Sequence, residues 1–207
     1  MGLCLLKKLI HKSKERMGDN MIKIDAGDFF LVEPNEVYAE QIREYRQDFL
    51  DTDSSMDGCG SLRRYEDPIA YISKCKKYLN PETLPDGAVI ATQFLYVRKV
   101  DMRLVGMIQI RHYFNDYLSK YGGHIGYSVR PSERRKGYAT SMLNAVLPYC
   151  KEIGIEKILI SCIDGNIGSE KVILNNGGVY ESTVYEPSKK SGMKRHKLKR
   201  FWICLNN

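Results

Sequence analysis

The sequence predicts a mixed α/β fold, a central sheet with helices on both faces. Three observations carry that prediction. Hydrophobic periodicity along the chain gives the order strand, two helices, two or three strands, helix, strand, helix, two strands. Residues 157–162, Lys-Ile-Leu-Ile-Ser-Cys, are apolar and β-branched enough for a strand buried on both faces, as a central parallel strand is. Residues 123–140 read as a strand ending at Pro131, a short basic loop containing Gly137, and the first turn of a helix.

Taken in order, residues 1–20 read as a basic N-terminal extension that need not be ordered, ahead of one domain over 21–207. Met-Gly-Leu-Cys resembles a lipidation start, but Leu6 stands where the myristoylation pattern wants Ser or Thr, and a signal-peptide cleavage site is lacking. A first strand at Phe29-Phe30-Leu31-Val32 closes at Glu33-Pro34. Asn35 then caps a helix whose Tyr38, Ile42, Tyr45 and Phe49 share a face. Asp67-Pro68 suits the N-cap and first position of a second helix, which Asn80-Pro81 stops. Strands over 89–98 and 104–111 flank a charged turn at Asp101 and read as a hairpin. The helix over 139–153 buries Met142, Leu143, Val146 and Cys150, carries Pro148 as an expected kink, and ends at Gly154. A short helix after Asn166 and strands over 179–185 and 198–205 complete the chain.

Composition narrows the function. The net charge is +7, but residues 1–20 hold five Lys/Arg against two Asp/Glu and residues 186–200 hold seven against one, which leaves the body slightly acidic. That distribution favours solvated peripheral segments over a basic binding face, so no nucleic-acid partner is expected; the competing reading, binding through Lys189, Lys190, Lys194, Arg195, Lys197, Lys199 and Arg200, requires steep salt dependence. The longest apolar runs fall short of the roughly 20 residues of a membrane helix. Six scattered cysteines without C-x-x-C or a histidine at ligand spacing imply no metal and reduced core thiols in a cytoplasmic protein.

The chemistry centres on residues 123–140. A helix N-terminus preceded by basic side chains and a glycine can hold phosphate, because its first N–H groups lack intrahelical partners. The Walker order G-x-x-x-x-G-K-S/T is absent, since here lysine precedes the glycine, and G-x-G-x-x-G fails because Gly122, Gly123 and Gly126 precede the turn. What remains, Arg134-x-x-Gly137-x-Ala139, resembles the pyrophosphate motif R/Q-x-x-G-x-G/A of the GNAT superfamily of N-acetyltransferases, and the order of elements resembles that family over about residues 22–205.

The resemblance implies a sheet splayed at two parallel strands, here 125–129 and 157–162, with acetyl-CoA held between them as acyl donor. It implies main-chain contacts to the pantetheine arm from Tyr127, Ser128 and Val129, and pyrophosphate binding by Arg134, Arg135, Lys136, Gly137, Tyr138, Ala139 and Thr140. Asn166 matches an asparagine that touches the cofactor and equally suits an N-cap. His124 stands where relatives that acetylate protein N-termini carry a glutamate, which makes it the candidate general base against a structural role, with His112 a weaker alternative. The family's tyrosine acid is Ile173 here and its usual phenylalanine is Gly178; Tyr180 or Tyr127 could substitute as the acid or be packing. The implied activity is transfer of acetyl to a primary amine, of a small molecule or a protein, by direct attack in a ternary complex. The other reading is an acetyl-CoA sensor without turnover, and the chain would be a monomer or homodimer. Asp48, Asp51, Asp53, Asp57, Glu66 and Asp67 suggest a cationic acceptor, or else a solvated acidic loop.

Overall fold

The structure, a computed structural model, describes residues 14–17, 21–187 and 196–205. Strands β1 (Lys14–Met17), β2 (Met21–Ala26), β3 (Phe29–Val32), β4 (Ala91–Arg98), β5 (Arg103–Arg111) and β6 (Ile125–Val129) lie side by side in chain order, each antiparallel to the next. A second sheet, β7-β9-β8, joins β7 (Lys157–Ile163), β9 (His196–Cys204) and β8 (Val179–Glu186), again antiparallel. The helices are α1 (Ala39–Asp51), α2 (Pro68–Lys77), α3 (Tyr138–Glu152) and α4 (Ile167–Asn175).

Two cores explain why β4 and β5 are buried on both faces. Successive side chains of a strand point to opposite faces. Phe94, Tyr96, Ile108 and Ile110 pack on one side with Met142, Leu143, Val146 and Cys150 of α3. Leu95, Val97 and Met107 pack on the other with Ile42, Tyr45 and Phe49 of α1 and Tyr71 and Ile72 of α2. The sheet is thus the middle of three layers, with α1 and α2 on one face and α3 and α4 on the other.

The caps act as the residue types dictate. Asn35 Oδ1 accepts the Val37 N–H (3.1 Å) at a single 3-10 turn leading into α1, and the Asp67 carboxylate accepts the N–H groups of Ile69 (2.9 Å) and Ala70 (3.3 Å) at the start of α2. α3 continues through Pro148; the proline and Asn144, whose carbonyl loses its helical donor, are both exposed, so water can replace the missing bond.

Several sequence expectations change. The stretch 157–162 occupies the core, with Ile158, Leu159 and Ile160 buried, but its ladder partner is β9, antiparallel, and toward β6 it forms no ladder. The two sheets are joined where the His124 N–H donates to Leu159 O (2.8 Å). Part of the extension at 1–20 is a strand, β1, paired with β2; Cys4 and the rest of that segment lie outside the described residues. Cys204 is exposed rather than a core thiol, while Cys59, Cys75, Cys150 and Cys162 are buried and unbridged.

Candidate active site

Because β6 has a ladder partner only in β5, and β7 only in β9, the facing edges of the two sheets leave a cleft of about 860 Å³. Ile125, Tyr127 and Val129 line one wall and Ile160, Ser161 and Cys162 the other, with Ala139 of α3 and Asn166 of α4 at the rim. The cleft has two ends of different construction: an open end beside α3, and an end where His124 and Leu159 join the sheets.

At the open end the chain turns through a 3-10 turn, Pro131–Glu133, and then takes left-handed backbone at Arg135 (φ +64) and Gly137 (φ +81). Left-handed backbone suits glycine because it has no β-carbon. Among the described residues the N–H groups of Arg135, Lys136, Gly137, Tyr138 and Ala139 meet no acceptor in the chain, whereas Thr140 and Ser141 already bond to Gly137 O (3.0 and 3.1 Å). The five donors are contiguous, running from an exposed loop at 135–137 into the half-buried first residues of α3, and stand at the positive end of a 15-residue helix. The side chains contribute less than the sequence suggests. Arg134 Nε donates to Val129 O (3.2 Å) and its guanidinium lies over Phe49, while Lys136 is folded onto Glu133 (2.8 Å). Glu133 is nearly buried; burial would raise its pKa, but hydrogen bonds from Lys136 and Arg98 bring it below the ordinary carboxylate range. Arg135 stays exposed without a partner among the described residues.

The joined end is assembled from distant segments. Arg111 Nη1 donates to the carbonyls of Gly122 (3.1 Å) and Gly123 (3.2 Å). The loop at 54–60 lies across β6, main chain on main chain: a β-carbon on Gly58 would stand 2.1 Å from Gly126 C and O. Gln93 Nε2 holds that loop by donating to Gly58 O (2.9 Å). Tyr117 OH donates to Glu186 Oε1 (2.6 Å), and Glu186 is the register partner of His196; all three line the cleft. Burial and Glu186 push the Tyr117 phenol up to about 12. Asp57, Gly58, Arg111 and Tyr117 also line a second cavity of about 560 Å³, which adds Lys74, Gln109 and Asn115.

His124, the expected base, takes a different position. It is 7% exposed, stacks on Phe114 (3.9 Å between centroids) and lines neither cavity. The Leu159 N–H donates to its Nδ1 (3.0 Å), so the neutral ring carries its proton on Nε2 and has no free lone pair. Burial, with Arg111 nearby, lowers its pKa to about 4. His112 is half-buried in a chain of contacts, its Nε2 on Thr92 Oγ1 (2.8 Å), which in turn meets Tyr149 OH (2.7 Å).

Tyr180 is 52% exposed on β8, bonds to Thr183 (2.8 Å) and faces neither cavity. Tyr127 does line the cleft, but its hydroxyl is tied to Ser169 Oγ (2.9 Å) of α4. The Ser128 hydroxyl points to the opposite face, against Tyr45 OH (3.2 Å) and Cys59 Sγ (3.0 Å). Asn166 Oδ1 accepts the Ser169 N–H (3.0 Å) as the expected N-cap, and the residue borders the cleft. Ile173 is fully buried, and its Cγ2 sits 2.4 Å from where a β-carbon on Gly178 would be, so the two departures from the family pattern fit each other.

Of the acidic residues, Asp48 pairs with Arg130 (3.0 Å), Asp67 caps α2, and Asp57 alone of the six lines a cavity. In the basic segment Lys197 meets Asp164 (2.8 Å), Lys199 meets Glu170 (3.0 Å) and Arg200 meets Glu181 (2.7 Å); Lys189, Lys190, Lys194 and Arg195 lie outside the described residues. No cluster of three metal-ligating side chains occurs among the described residues, and no helix there is long and apolar enough to cross a membrane. Arg111, Tyr117, Glu186 and Lys74 belong to no motif in the sequence; the nearest signal is the aromatic and polar composition of residues 113–122.

Residues 19–177 match the acetyltransferase (GNAT) family. No curated protein matches in sequence. Among solved structures, the chain is similar to the microcin C7 self-immunity acetyltransferase MccE in complex with acetyl-CoA and AMP, at 18% identity and TM-score 0.66 over 87% of this chain and 95% of that one. The ribosomal-protein-S5-alanine acetyltransferase of Vibrio fischeri aligns at 16% identity and TM-score 0.67 over 89% and 97%. The ribosomal-protein acetyltransferase RimL, in complex with coenzyme A, aligns at 14% identity and TM-score 0.65 over 88% and 97%.

Proposed function

The chain belongs to the acetyltransferase (GNAT) family, and from that premise we propose that it transfers an acetyl group from acetyl-CoA to a primary amine by direct attack within a ternary complex. The observation that carries the reading is the row of open N–H donors from Arg135 to Ala139 at the mouth of a cleft between two unladdered strands. Bound acetyl-CoA supplies a thioester carbonyl. The donor row, with the exposed Arg135 charge, Thr140 and the rim residue Asn166, takes its pyrophosphate. The main chain of Tyr127 to Val129, on the edge of β6 away from β5, runs beside the pantetheine arm.

An amine must lose a proton to form the amide. Glu186, held by Tyr117, receives it directly or through one water and passes it to solvent; Tyr117 keeps its own proton at neutral pH. Carbon–nitrogen bond formation and carbon–sulfur cleavage then leave coenzyme A as a thiolate, which with a reference thiol pKa near 8.5 departs without an acid. That accounts for activity with Ile173 buried. His124 we read as a positioning residue that pins β6 to β7.

Calorimetric titration with acetyl-CoA and a thiol-release assay across an amine library test the proposal together. Saturable association plus amine-dependent release is expected. Association without release under any amine makes the chain a sensor, and no association removes the cleft assignment.

A further inference from the structure

The second cavity adjoins the first through a shared wall, Asp57, Gly58, Arg111 and Tyr117, so a molecule within it would lie beside the end of the cleft where the sheets join. Its polar character is unusual. Lys74 and Arg111 both line it, and among the described residues neither has a carboxylate within ion-pair distance. Among the described residues, Lys74 Nζ meets Gly60 O (2.8 Å) and the face of Tyr78 (4.0 Å), and Arg111 Nη1 meets main-chain carbonyls. Burial lowers the pKa of both groups, and Arg111 further lowers that of Lys74, which means the two cations share one poorly solvated space. Unpaired cations out of bulk water are costly unless an anion joins them. The amides of Gln109 and Asn115 add hydrogen-bonding groups to the same lining.

In the shared wall, close enough to act on the charge of Arg111, the exposed carboxylate of Asp57 borders both cavities. It disfavours a doubly charged anion such as phosphate nearby and favours an ammonium at the boundary. A single planar carboxylate matches the remaining cations, because the guanidinium fork donates two parallel hydrogen bonds to it.

We propose that the second cavity holds the acceptor and that this acceptor is an amino acid, its carboxylate gripped by Lys74 and Arg111 and its amine facing Asp57 and the cleft. This rests on the acetyltransferase reading above and names the substrate class. It replaces the cationic acceptor suggested by the acidic residues of the sequence, five of which line neither cavity.

The test uses N-acetylamino acids and their amides as product-like probes, which differ only in the carboxylate. Each is titrated by calorimetry into the full chain with and without saturating coenzyme A. Two charge-assisted hydrogen bonds predict that at least one acid binds about tenfold or more tightly than its amide. Lys74→Met abolishes that preference and Lys74→Arg restores most of it, which also excludes misfolding as the cause. Equal binding of every acid and amide, no binding of either, or a preference that survives Lys74→Met overturns the proposal. Because the coenzyme-free titration reads this cavity alone, its failure is separable from failure of coenzyme A to bind.

Discussion

The two ends of the cleft solve recognition in opposite ways. The open end is one contiguous run, residues 134–140, and works chiefly through main-chain N–H groups. The joined end gathers side chains from five separated segments, at Asp57, Lys74, Arg111, Tyr117 and Glu186. Main-chain donors depend on backbone shape and tolerate a change of side chain, whereas a convergent set of side chains depends on identity at every position. The first end can therefore keep one ligand through extensive sequence change, and the second is where specificity can vary.

The largest expected effect concerns what holds the joined end in place. Gly58→Ala puts a β-carbon 2.1 Å from Gly126 main chain at a residue with φ +67, so the loop or the strand must move. Overpacking against backbone predicts a loss of about 3 kcal/mol in denaturant unfolding and loss of turnover. A stable, active variant would mean that the two segments do not lie against each other.

His124 provides the second test. Its pKa is about 4 when folded, against a reference of about 6.5 when unfolded. Between those values the unfolded chain binds the extra proton, so stability rises with pH there and falls as pH drops from about 6.5 toward 4. The loss approaches roughly 3 kcal/mol for a shift of this size. Urea midpoints at pH 7, 5.5 and 4.5 should show it, and His124→Gln should flatten that part of the profile. An identical slope in the variant would return the histidine to the list of candidate bases.

Glu186→Gln is expected to lower kcat/KM about 100-fold, the effect of removing a positioned proton acceptor, while coenzyme A affinity stays within about twofold. A drop in affinity with kcat intact would move Glu186 from chemistry to binding.

At the open end the effects are smaller and unequal. Gly137→Ala, strained at φ +81, should weaken coenzyme A binding about tenfold, a cost of about 1.4 kcal/mol, while Lys136→Ala should change it less than about threefold because that ammonium is turned onto Glu133. If the lysine matters more than the glycine, side-chain charge rather than backbone shape governs this end.

The same contrast governs what could be read in advance. Nearly every helix and strand was legible, because periodicity and caps such as Asn35 and Asp67 are local. The left-handed glycine turn leading into α3 was legible for the same reason. Asp48 misled, since its partner Arg130 lies 82 positions away and only the fold shows that the charge is used. His124 misled because its neighbour Leu159 belongs to another sheet. Lys74 and Arg111 gave no sign of meeting, one on a helix and one at a strand end, until the sheet brought them to a single cavity.

The contact between Gly58 and Gly126 has one more implication. Gly58 borders both cavities, so the main chain of the crossing loop separates the two sites proposed for donor and acceptor. No enlargement of a side chain at either position can trim or tune that aperture without lifting the whole loop. In the proposed transfer, the separation of the two sites is set, in effect, by two hydrogen atoms.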